Sequence, residues 1–127
     1  MKRESVNAKN APDPHGNYSQ AVKLEDFQRL LLISGQIPMT SNEEVPDGFE
    51  AQARQVWRNI DAQLKAAGMA KADIVKVTTY LSDRQYALAN REIRNEYLGA
   101  LAPALTVVVS GMFDEKWLFE VEAVAAQ

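Results

Sequence analysis

Six apolar residues, Phe49, Ala53, Val56, Ile60, Leu64 and Ala67, recur at steps of three and four. That spacing puts them on one face of an α-helix and leaves polar side chains on the other. A helix with a single apolar stripe must bury it against another element, so the rest of the chain has to supply a second layer. Asp47-Gly48-Phe49-Glu50 reads as a capping box with Asp47 as N-cap, and Gly68 as the stop. The pattern predicts a helix over residues 48–67. A second helix is expected over 83–98, capped by Asp83, with Tyr86, Ala89, Ile93 and Tyr97 on its apolar face and Gly99 at its end.

The second layer is a sheet. Residues 74–81 are β-branched and aromatic, Thr106 to Val109 are apolar-leaning, and residues 117–124 alternate. Leu30 to Ile33 are four consecutive aliphatics, which predicts a strand over 29–35 buried on both faces. Residues 17–23 suit a short edge strand that pairs with it as a hairpin through the polar turn at 24–28. The first fourteen residues end in Ala11-Pro12-Asp13-Pro14, an extended lead-in. The order β-β-α-β-α-β-β predicts one α+β domain over residues 1–127, a mixed sheet with both helices on one face. Thr106 to Val109, apolar on both sides, implies that another subunit covers the second face.

Composition narrows the chemistry. The 127 residues include no cysteine and one histidine, His15. Disulfides, a thiolate nucleophile and Cys- or His-rich metal sites are thereby excluded, and no metal is expected. Fourteen Lys and Arg against seventeen Asp and Glu give a net charge of -3, with no concentrated basic stretch for nucleic acid. No apolar run is long enough to span a bilayer, and no apolar core follows the N-terminal basic residues. A cytoplasmic protein, bound neither to membrane nor to nucleic acid, is expected.

Four segments carry a family resemblance. They are Ala11 to Val22 (APDPHGNYSQAV), Ile33 to Pro38 (ISGQIP), the stretch from Asn59-Ile60 through Ala66-Ala67-Gly68 to Asp73–Asp83, and Phe119 to Ala125 (FEVEAVA). In this order and at these intervals they resemble the RidA (YjgF) family. The resemblance implies a chorismate-mutase-like fold and a homotrimer whose sheets form a central barrel with helices outside. It also implies small-molecule clefts at the subunit interfaces. Archetypal members hydrolyse 2-imino acids to 2-keto acids and ammonia without a cofactor; others are described as endoribonucleases or translation inhibitors, or have no known activity.

Carried over residue by residue, the resemblance implies a catalytic Glu120 that holds the attacking water. Around it a cleft is expected from Tyr18, Ser34, Gly35, Asn90, Leu105, Val107 and Trp117, with His15 as a proton shuttle. Each residue also has a structural reading. Glu120 could be a solvated strand carboxylate, Tyr18 or Trp117 packing aromatics, Gly35 a turn, Asn90 a structural hydrogen-bonder and His15 a bystander. The archetypal carboxylate-binding arginine follows a Pro-Ala pair, and here Pro103-Ala104 is followed by Leu105. Leu105 and Val107 share one strand face, so this part of the cleft is expected to be apolar. Arg84, Arg91 and Arg94 are expected to face away on the second helix. An unpaired carboxylate in a desolvated site costs several kcal/mol, and turnover of 2-imino acids is accordingly expected to fall about a hundredfold or more. A hydrolase or deaminase of an imine-like metabolite, a non-catalytic trimeric binding or regulatory protein and, less favoured, an RNA-directed nuclease or translation inhibitor are the readings left open.

Overall fold

The computed structural model describes residues 1–127. Its elements are β1 (Lys2–Val6), β2 (Ala21–Glu25), β3 (Leu30–Gln36), α1 (Phe49–Ala66), β4 (Ile74–Leu81), α2 (Ala87–Leu98), β5 (Ala104–Val109) and β6 (Phe119–Ala126), with 3-10 turns at Lys71–Asp73 and Arg84–Tyr86. Four strands form one mixed sheet in the order β3-β6-β4-β5. β6 runs antiparallel to both β3 and β4, whereas β4 and β5 are parallel. A parallel pair needs a crossover, and α2 provides it.

Side chains alternate across this sheet. Ile33, Val77, Leu81, Phe119, Val121, Ala123 and Ala125 face the helices, where they bury against Val56, Ile60, Leu64, Ile93 and Leu98. Aromatic pairs join the two helices to this core. Phe49 stacks on Tyr86 at 4.5 Å between ring centres, and Trp57 on Tyr97 at 4.4 Å. The α+β class, the mixed sheet and the two helices on one face therefore stand as the pattern predicted. At the end of α1, the Met69 N–H bonds the Leu64 carbonyl and the Gly68 N–H that of Lys65. Gly68, at φ +68°, takes the left-handed conformation this Schellman ending requires.

Several local expectations change. β1 lies in the stretch expected to be a simple lead-in, and it pairs with β2 as a separate two-stranded ribbon. The expected hairpin between the first two predicted strands does not form, because β3 takes β6 as its partner. Nor is β3 buried on both faces. Its outward residues Leu30 and Leu32 are 51% and 72% exposed, whereas Val107 and Val109 of the edge strand β5 are exposed on the helix-side face. The second face of the sheet is open in a single chain. Asp47 does not cap α1: Gly48 is the N-cap, no side chain closes the first turn, and Glu50 engages Arg54 instead. Asp83 caps the 3-10 turn that leads into α2, accepting from the Gln85 N–H. The last strand begins at Phe119, two residues after Trp117.

Candidate active site

Tyr18, Asn90, Leu105 and Val107, together with His15, line one cavity of about 390 Å³ between α2, β5 and the segment that precedes β2. Leu105 and Val107 pair with Val77 and Thr79, which fixes them on the helix-covered face of the sheet. Tyr18 lies in a bend rather than on an edge strand. Buried Ser19 clasps that bend to the start of β5. Its N–H donates to the Pro103 carbonyl at 3.0 Å, and its hydroxyl donates to the Ala102 carbonyl at 2.6 Å. The Tyr18 hydroxyl accepts from the His15 N–H at 3.1 Å, so its own proton remains free to donate.

The expectation of an apolar pocket facing no arginine does not survive this geometry. Ala87, Asn90, Arg91 and Arg94 all line the same cavity as Leu105. They stand at i, i+3, i+4 and i+7 along α2, one continuous helix face. The apolar face of α2 turns toward the core and α1, which leaves this second face over the edge strand. Arg94 is only 5% exposed and Asn90 only 3%. Burial, and after it the neighbouring charge of Arg91, lower the pKa of Arg94 from its ordinary value. Nε of Arg94 and Oδ1 of Asn90 are sealed from solvent without a partner, so Asn90 is not engaged in a structural hydrogen bond through its carbonyl. The helical spacing of residues 87, 90, 91 and 94 was the signal for this face.

Glu120 belongs to a second cavity, of about 270 Å³, on the open face of the sheet, which Gly35, Tyr80, Phe113 and Glu122 also line. The β3–β6 register slips between Ile33 and Gln36, and within that bulge Gly35 faces the Glu120 side chain. A Cβ at Gly35 would overlap Oε2 of Glu120 and stand 2.9 Å from its Cδ, so only glycine lets the carboxyl lie there undisturbed. Desolvation, and then the charge of Glu122, raise the pKa of Glu120 above the ordinary glutamate value. Glu122 accepts from the Tyr80 hydroxyl at 2.7 Å. Glu120 makes no such bond and is the free carboxyl of the pair.

Within one chain the two groups of residues thus lie on opposite faces of the sheet. Ser34 is exposed beside the bulge and lines neither cavity. Trp117 also lines neither; its ring lies 6.3 Å from that of Phe113, and its Nε1 is buried without an acceptor. Sequence reasoning missed Gln52, whose side chain donates to the Pro46 and Lys116 carbonyls and accepts from the Leu118 N–H at 2.8 Å. That amide anchors the segment leading into β6, one residue before the strand begins at Phe119. No three His, Asp or Glu side chains converge as metal ligands, and no helix is long and apolar enough to cross a membrane.

Residues 8–127 match the profile of the family described as Endoribonuclease L-PSP. A RutC family protein of Pyrococcus horikoshii is 40% identical over 97% of both chains. The 2-iminobutanoate/2-iminopropanoate deaminase of Capra hircus is 33% identical over the whole of this chain and 92% of its own. Among solved structures, a Rid-family protein of unknown function from Yersinia pestis superimposes with a TM-score of 0.83 at 28% identity, covering all of both chains. RidA of an Antarctic Psychrobacter superimposes with a TM-score of 0.74 at 31% identity, over 98% of this chain and 99% of that one. A matching profile, relatives spanning the full length and the shared α+β architecture agree: this chain belongs to the RidA (endoribonuclease L-PSP) family.

Proposed function

We propose that the protein is a cofactor-independent hydrolase or deaminase of a small imine or enamine, with Glu120 as its acid–base group. The observation that carries this reading is the state of Glu120, a partly desolvated carboxyl without a hydrogen bond, its pKa raised, lying over Gly35 in an open cavity. A carboxyl in such surroundings exchanges protons closer to neutral pH than a solvated one. It can take a proton from water as the oxygen attacks the C=N carbon and pass it to the nitrogen, which gives a carbinolamine. Transfer of the remaining hydroxyl proton to the same nitrogen through the carboxyl then breaks the C–N bond as the C=O forms. The products are a carbonyl compound and ammonia, and neither metal nor cofactor enters the step. Kinship with the goat deaminase supports the reaction class.

The working site in this proposal forms between subunits of a homotrimer. Two half-cavities on opposite faces of one sheet can meet only if a second copy supplies one of them. The open face exposes Leu30, Leu32 and, beside Glu120, Phe113 at 97%, an apolar surface suited to a subunit contact. Light scattering is expected to give a trimer, and Leu32→Glu to shift it to smaller species. A wild-type monomer at micromolar concentration would remove this part of the proposal.

The catalytic test generates an imine in situ from an amino acid with a dehydratase and follows formation of the keto acid. Hydrolysis above the spontaneous rate is expected, with a loss of about a hundredfold or more in Glu120→Gln. No acceleration by the wild-type protein, or full activity in the variant, would refute the reading.

A further inference from the structure

We propose that Arg94, assisted by Arg91, Asn90 and Tyr18, forms a carboxylate-binding subsite on α2, so that the anchor for an anionic substrate is carried by the helix and not by strand β5. This inference rests on the proposed hydrolase reading for its substrate, but its geometry is independent of Glu120.

Arg94 is nearly buried, its Nε has no acceptor, and it takes part in none of the ion pairs of the chain. A guanidinium cannot shed its charge at physiological pH, so burying one without a counter-ion is expensive. The chain does not lack acids, with seventeen Asp and Glu against fourteen Lys and Arg. Its ion pairs form elsewhere: Arg54 with Glu50 and Glu96, Lys23 with Glu4 and Glu25, Lys2 with Asp26. No acidic side chain lines the cavity of Arg94, where Arg91 adds a second positive charge. A cationic, acid-free cavity in a protein of net negative charge is the electrostatic signature of an anion site.

The remaining groups fit the same ligand. Tyr18 has its hydroxyl proton free, because the oxygen already accepts from the His15 N–H. Asn90 lines the same cavity, and its amide N–H groups can donate to a polar substituent beside the anion. Leu105 and Val107 give the cavity an apolar wall, which lowers the local dielectric and strengthens each charge-assisted bond. A guanidinium presents parallel N–H groups that match the two oxygens of a planar carboxylate. The cavity volume of about 390 Å³ suits a small metabolite and not a polymer.

Binding of 2-oxobutyrate, a stable carboxylate product analogue, to the intact protein tests this directly. Titration calorimetry, together with the Arg94 Nε–Hε signal in a ¹⁵N-labelled sample, reports the contact. We expect saturable binding that moves this signal, at least a tenfold loss of affinity in Arg94→Leu, and a smaller loss in Arg94→Lys. Neutral 2-butanone should show no such dependence. Melting temperature separates binding from a structural role, since removal of an unpaired buried charge should leave Arg94→Leu as stable as the wild type or more so. Unchanged affinity in a folded Arg94→Leu protein, a preference for inorganic phosphate over 2-oxobutyrate, or a variant that melts well below the wild type would each overturn the assignment. Glu120→Gln distinguishes the two proposals: it should bind 2-oxobutyrate normally while losing turnover. Arg94-dependent binding by a wild-type protein without turnover would sink the hydrolase reading and leave the subsite standing.

Discussion

Gly35→Ala isolates the contact on which the acid–base reading depends. The new methyl group would occupy the place of Oε2 of Glu120, so the carboxyl must swing away. The cost to folding is small, because the displaced group is the far end of a flexible side chain. An off-rotamer χ angle costs about 0.5–1.5 kcal/mol, and replacing glycine at an ordinary φ returns about 0.4–1 kcal/mol from the unfolded chain. Net stability should change by no more than about 1 kcal/mol, or about 4 °C in Tm for a domain of this size. The effect on chemistry is far larger, since an acid–base group misplaced by about 1 Å loses on the order of a hundredfold in rate, equivalent to about 2.7 kcal/mol. A second readout needs no substrate. Once moved toward water, the Glu120 carboxyl should titrate closer to an ordinary glutamate, as followed by its ¹³C chemical shift. Full activity with an unshifted Glu120 titration in Gly35→Ala, or an unfolded variant, would refute the acid–base role of this contact.

Because desolvation raises the pKa of Glu120, the folded state binds this proton more tightly than the unfolded chain does. Stability from this group is therefore full below the unfolded value and is lost as pH rises through the folded one. Glu120→Gln should match the wild type in thermal melts at acid pH and exceed it at neutral pH; a variant less stable at neutral pH would contradict the assignment. Gln52→Leu removes three hydrogen bonds, to Pro46, Lys116 and Leu118, and should cost about 2–4 kcal/mol in denaturant titrations; a loss under about 0.5 kcal/mol would show that the segment before β6 is held by other contacts.

What the sequence by itself determined is the layer pattern. Apolar residues at steps of three and four specify α1 because its stripe is one-sided, and the alternation from Phe119 onward specifies which face of β6 is buried. Glycines 68 and 99 mark helix ends because both adopt positive φ. Glu120 and Gly35 could be singled out through resemblance, but their contact depends on a bulge that joins residues about 85 positions apart, invisible to local pattern. Strand pairing was likewise decided by tertiary structure: β3 joins β6, which places Ile33 in the core under the helices with Leu31 against it, and β2 pairs with β1. The largest revision concerns α2. Its periodicity identified the face toward the core, but a helix over the edge of a sheet has a second, partly covered side. Only packing over β5 turns Asn90 and Arg94 from surface residues into buried ones, because burial of a charged side chain depends on what lies opposite it and not on its own neighbours in the chain.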